Sequence, residues 1–194
     1  MSAARTNFGP LGFGGLRLSA REFLALGEAD GRFELIQGVV VMSPSVRPLH
    51  WRVLSEIHQQ LLPFQTGGGD CHHYCEIDVQ FDERTVYQPD VAVFRGAEPW
   101  PIPKSLSRVP DLAIEVLSPG SKPLDLITKR DDYERFGVGE YWVIDADECH
   151  ARVWQRLDGG DFADPVLETT SVACRVIAGF TLDLAPIRRL VLRP

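Results

Sequence analysis

Apolar residues along this chain fall into short alternating runs and two longer stripes at helical spacing, and their order predicts the elements. Ser19-Ala20-Arg21-Glu22 fits a capping box, with Ser19 capping a helix and Glu22 reaching back. That helix runs from Ala20 to about Ala29 and ends in the polar Asp30-Gly31. In RFELIQGVVVMSP, two apolar arms flank Gln37-Gly38, a tight hairpin turn in which glycine supplies positive φ. Glu34 alternates with Phe33 and Leu35 on the first arm, as a solvent-facing strand acid would. From Leu49 to Leu62 the period becomes helical: His50, Leu54, Ile57 and Leu61 share one stripe, and a histidine there reads first as a satisfied core residue. After the Gly67-Gly68-Gly69 loop, CHHYCEIDVQFD alternates, with Cys71, His73, Cys75, Ile77, Val79 and Phe81 on one face. Asp82–Thr85 turns it back into VYQPDVAVF, so residues 71–94 form a hairpin. Residues 95–108, with Pro99, Pro101 and Pro103, read as a long surface loop anchored by Trp100.

The segment VPDLAIEVLSPGSKPLDLITKRDDYERF, Val109 to Phe136, organises the rest. Leu112, Ala113, Ile114, Val116 and Leu117 make a buried strand too short for a helix, and Glu115 sits in its middle. Burying such an acid is costly unless it is paired, protonated or bound to a cation. Ser118-Pro119-Gly120 ends the strand, and a helix starts near Leu124. With Leu126 at zero on a 3.6-residue wheel, Tyr133 lies about 20° away, Lys129 about 60° and Phe136 about 80°. Lys129 therefore shares the face that packs on the sheet. A structural salt bridge, or a lysine snorkelling past Tyr133, explains the pair as well as a functional role does. Gly137 closes the helix. Glu140–Asp145, residues 151–156 and roughly 166–184 supply further strands, the last broken by Gly179. These elements predict an α/β (α+β) fold, a mixed central sheet flanked by helices, over a single domain from residue 17 to 194. Residues 1–16, glycine-rich and unpatterned, are expected to form a mobile tail with no phosphate-cradling role.

Composition narrows the class. The chain has 194 residues, 44% hydrophobic and 24% charged, ample for one full core. It has no apolar window near 18 residues and no secretory h-region. Four scattered cysteines suggest no disulfide framework, and a cytoplasmic location is expected. A net charge of −7 argues against a protein that wraps nucleic acid non-specifically, but not against a metal-dependent nuclease whose own carboxylates hold the ion.

A hard divalent cation needs several oxygen ligands within a few ångström. Asp111 and Glu115 share a strand face but stand roughly 13 Å apart. Asp90 can meet Glu115 if their strands are neighbours. Asp90, Glu115 and the Val116 backbone carbonyl would then hold a metal, with Lys129 acting on a water or on the transition state, as a phosphodiesterase site requires. A zinc reading of Cys71, His73 and Cys75 lacks a second ligand pair, and structural burial is favoured for them. A cupin-like metal site on His72 and His73 fails because consecutive strand residues face opposite ways.

Pro89-Asp90, Glu115 at a strand centre and the active-site lysine resemble the PD-(D/E)xK nuclease superfamily. More closely, FELIQGVVVMSP, His50, YQPDVAVF and PDLAIEVLSPGSKPLDLITKRDDYERFGVGEYWVID, spread over residues 19–184, resemble the bacterial putative restriction endonuclease family. That resemblance implies a restriction-endonuclease-like fold and a Mg2+- or Mn2+-dependent endonuclease acting on DNA. Leu117 stands where the superfamily places its lysine, and Lys129 matches the position on the following helix to which this family moves it. The resemblance also implies Glu34 as a third acid and, more weakly, a role for His50; Gln37 replaces a usual aspartate. A homodimer is the expected form for an enzyme cutting two strands. The competing reading is a non-cutting binding module of the same fold, which need not take up Mg2+ or Mn2+ at Asp90 and Glu115.

Overall fold

The computed structural model describes residues 13–26, 31–43, 47–66, 71–99, 101–158 and 160–191. Residues 1–12 of the expected tail, the far end of the first helix, the Gly67–Gly69 loop and Trp100 lie outside them. The elements run α1 (Ala20–Leu24), β1 (Phe33–Ile36), β2 (Val39–Met42), α2 (Pro48–Thr66), β3 (Cys71–Cys75), β4 (Asp78–Gln80), β5 (Val86–Tyr87) and β6 (Val91–Arg95). They continue through β7 (Ser105–Leu106), β8 (Leu112–Val116), a π-helical turn (Leu124–Lys129), α3 (Arg130–Phe136), β9 (Glu140–Asp145) and β10 (His150–Gln155). Three short strands, β11 (Val166–Glu168), β12 (Ser171–Ala173) and β13 (Thr181–Asp183), precede α4 (Ala185–Val191).

A six-stranded sheet in the order β11-β10-β9-β8-β6-β3 carries the core. Its β8 and β9 are parallel, joined by the π-helical turn and α3, while β6 runs antiparallel to β8. Alternation along β8 decides what each face receives. Leu112, Ile114 and Val116 pack with Val53, Leu54 and Ile57 of α2, and Ala113 packs on the other face with Tyr133 of α3. Glu115 shares the Ala113 face. A second sheet, ordered β2-β1-β5-β4-β7, stands beside it. The β1–β2 hairpin turns through Gln37 (φ 50) and Gly38 (φ 82), both left-handed as a two-residue turn of this kind requires.

The hairpin expected over residues 71–94 is divided between the sheets. β3 pairs with β6 and β4 with β5, and the chain bends at Glu76, which takes φ 54. The bend resets the alternation, so Tyr74 and Ile77 pack in one cluster with Phe94 although strict period-two spacing sets them on opposite faces. On the returning strand the break falls at Pro89-Asp90, which puts Asp90 at the junction of the two sheets. Three further differences are local. α1 stops at Leu24. Phe13 is buried against Phe33, and the Gly15 N–H donates to the Val40 carbonyl, so packed chain begins before residue 17. The closing segment is helical from Ala185 and seats Ile187 in the core.

Candidate active site

Asp90 and Glu115 come from neighbouring strands. The ladder ends at Val91 opposite Ile114, so the next position on each strand brings Asp90 beside Glu115. Beyond that pair Pro89 has no N–H, and the Val116 N–H instead donates to Asp90 Oδ2 at 2.7 Å. The other oxygen, Oδ1, accepts Arg32 Nη1 at 2.7 Å, and Arg32 also donates to the Gln88 carbonyl. Glu115 Oε1 accepts from Lys129 Nζ at 2.9 Å and from the Tyr133 hydroxyl at 3.1 Å. Glu34, expected at the solvent face of its strand, is instead buried. Its Oε1 lies 3.0 Å from Lys129 Nζ and accepts the Gln88 N–H, while Oε2 accepts the Ser43 hydroxyl. Asp125 completes the group, with Oδ1 3.6 Å from Lys129 Nζ.

That last contact is an i, i+4 pair within the π-helical turn. Widened i→i+5 turns are rare and recur at functional sites, and this one buries both Asp125 and Lys129. Asp125 and Arg32 were missed in the sequence. Asp125 had a usable signal, since it precedes Lys129 by four residues and so shares its helix face. Arg32 had none, because only the meeting of the two sheets brings it to Asp90.

Glu34, Asp90, Glu115 and Asp125 are each no more than 2% exposed, and among the described residues Lys129 and Arg32 are the cations paired with them. With every group ionised, four negative charges face two positive ones. The consequences appear in their proton affinities. Burial pushes Glu115 up to about 8, with Asp90 and Asp125 adding to the push against Lys129. Burial likewise raises Asp125. For Asp90 burial is outweighed by the His50 ring, the Arg32 guanidinium and the Val116 N–H, which hold it near 2. Burial alone would discharge Lys129, but Glu115, Glu34 and Asp125 raise its pKa and keep it an ammonium.

These side chains line a cleft of about 340 Å³ empty volume, open solvent included. An adjoining cavity shares His50, Val116 and Ser118 with it. His50 is buried as its stripe requires, yet neither ring nitrogen has a hydrogen-bond partner among the described residues. The donor set fits a divalent cation: once Glu115 gives up its proton four carboxylates face two cations, and Asp90 has lone pairs to spare beyond its two hydrogen bonds. It is not a closed three-ligand cage. Among the described residues, the one trio of acidic, histidine or cysteine side chains with ligand atoms within 4.8 Å of one another is Asp145, Glu148 and His150. That trio lies at the β9–β10 turn, where Lys122 pairs with Asp145 at 3.0 Å.

The other candidates have structural partners. Asp111 is held by Arg95 and Arg108. His73 meets His58 at 2.8 Å, while His72 stacks on Phe94 across the strand, so the two histidines do face opposite ways. Cys71 is buried in the core, where its thiol donates to the Phe64 carbonyl at 3.4 Å. No described helix is long and apolar enough to cross a membrane.

The mixed sheets flanked by helices and the carboxylate–lysine cleft define a restriction-endonuclease-like protein. A family model described as "Uma2: Putative restriction endonuclease" matches residues 20–185, and the chain belongs to that family. The fold is similar to a crystal structure described as "a putative nuclease belonging to DUF820" from Anabaena variabilis ATCC 29413. The TM-score is 0.77 at 20% identity, covering 90% of this chain and 99% of that one. No curated protein matches the chain.

Proposed function

We propose that this chain is a divalent-metal-dependent endonuclease that hydrolyses phosphodiester bonds in DNA, and that it works in the cytoplasm as a homodimer. One observation carries the reading: three buried carboxylates converge on a single lysine in an open cleft, with a fourth, Asp90, beside them on Arg32. Asp90 and Glu115 are the metal-holding acids. The Val116 carbonyl joins them, since N–H and C=O of one strand residue point the same way and its N–H already meets Asp90. Mg2+ or Mn2+ bound there supplies a lowered water pKa and neutralises charge gathering on a phosphoryl oxygen.

The chain's own groups do the remaining work. Lys129 presents a permanent cation to the attacking water or the developing negative charge. Glu34 and Asp125 hold that ammonium in place, and the Tyr133 hydroxyl fixes the Glu115 carboxylate. Arg32 orients Asp90. The test is incubation of supercoiled and linear DNA with the protein and Mg2+ or Mn2+. Cleavage is expected, and Asp90→Ala or Glu115→Ala should lower it by about 100-fold or more. Cleavage that survives both substitutions overturns the assignment.

A second reading has its own support. Lys129 and Arg32 already have carboxylate partners, so the cluster could serve as a structural ion-pair network in a non-cutting binding module. Calorimetric titration separates the two, because the module has no need to take up Mg2+ or Mn2+ through Asp90.

A further inference from the structure

His50 is buried beside Asp90 and steadies its charge, yet neither of its ring nitrogens has a hydrogen-bond partner among the described residues. It lies in the first turn of α2, is 6% exposed, and lines both the carboxylate cleft and the cavity beside it. Its Nε2 stands 3.4 Å from Asp90 Oδ1. Among the described residues that atom pair lacks hydrogen-bond geometry, and Nδ1 has no partner either. Leaving a buried polar group unpaired is costly, so its placement needs a reason.

The separation supplies one. Two ligands held about 2.1 Å from one ion at angles of roughly 90–109° lie roughly 3.0–3.4 Å apart. A nitrogen and a carboxylate oxygen that are close without bonding each other are spaced like neighbouring ligands of a common cation. The ring is also anchored for the purpose. Leu54, Ile57 and Leu61, on the same stripe of α2, are locked in the core beneath it. Local charge agrees, because the carboxylate surplus lies within the same cleft.

We propose that His50 is a nitrogen ligand, beside Asp90, of the ion bound in this cleft, and that the site therefore favours Mn2+ over Mg2+. The proposal rests on the reading of Asp90 as an ion ligand. Its selectivity follows from ligand type. Mg2+ demands near-ideal octahedral oxygen coordination and keeps its waters, whereas divalent first-row transition ions accept imidazole.

Pulsed electron paramagnetic resonance on the full chain with Mn2+ tests it. Wild-type protein should show the 14N modulation of a directly coordinated imidazole, and His50→Gln should lose it. Calorimetry on the same variant should show Mn2+ Kd rising about tenfold or more, with a smaller change for Mg2+. His150→Gln, at the β9–β10 turn, should keep the modulation. Bound Mn2+ without 14N modulation in the wild type, or modulation lost with His150 and not with His50, overturns the proposal and leaves the nuclease reading standing. A wild-type chain that takes up Mg2+ but no Mn2+ overturns this proposal alone, and one that binds neither ion overturns both. Should His50→Gln fail to fold, His150→Gln decides: modulation that survives it supports the proposal, and modulation lost with it overturns it.

Discussion

Lys129 shows at the scale of one residue how the site is held. Its buried ammonium is shared by Glu115, Glu34 and Asp125, and removing one member of a buried charged set leaves the others uncompensated. Lys129→Met should therefore lower unfolding free energy by about 3–5 kcal/mol in urea titrations. Tyr133→Phe removes only one donor to Glu115 and should cost about 1 kcal/mol. The strand acid Glu115 and the inward lysine were legible in the sequence because each violates a local pattern. A carboxylate amid apolar neighbours and an ammonium on a packing face both demand partners. Glu34 violated nothing, since alternation alone suits an exposed acid. Its burial follows from β5 pairing with β1 and bringing the Gln88 N–H to its carboxylate.

Among the elements, strands and helices followed the apolar period closely where packing agreed with it. Glu140–Asp145 and the His50–Leu61 stripe are examples. The period failed at Glu76, where one left-handed residue shifts the pattern by a step. It also failed to find β7, a two-residue parallel partner of β4 that exists only through tertiary contact. Two predictions belong here. A β-carbon at Gly139, at the entry to β9, would lie 2.7 Å from the Asp111 carbonyl oxygen. Gly139→Ala should thus force strand backbone apart and destabilise by about 1–3 kcal/mol, measurable as a fall in Tm.

The second concerns the contact of α2 with β3 through His58 and His73. Burial, together with the neighbouring His58 and His72, lowers the His73 pKa to about 4 from 6.5. Between these values the unfolded chain binds a proton that the folded chain refuses, so stability rises with pH from about 4 to 6.5 and is lost as pH falls through that window. The contribution is at most about 3 kcal/mol, and His73→Leu should flatten that part of a stability-against-pH curve.

For the whole molecule, the arrangement of sheets decides function. The β3–β6 and β4–β5 ladders bend between two sheets, and the bend at Pro89-Asp90 carries an acid to the place where the ends of β1, β8 and the π-helical turn meet. An ion bound there ties both sheets together only in the folded state. If the proposed site takes up Mn2+, a concentration 100-fold above its Kd should add about 2.7 kcal/mol of stability. The measurement is Tm with and without the ion, and Asp90→Asn should remove the gain.

The sequence alone determined the α/β class, most of the elements and the three groups Asp90, Glu115 and Lys129, because burial cost and periodicity act along a few consecutive residues. Tertiary structure decided which further groups stand around them. Arg32, Asp125 and the unpartnered His50 ring take their meaning from contacts between segments distant in the chain or from an irregular helical turn. No local pattern encodes those distances; they exist only once two sheets and two helices have packed around a common cleft.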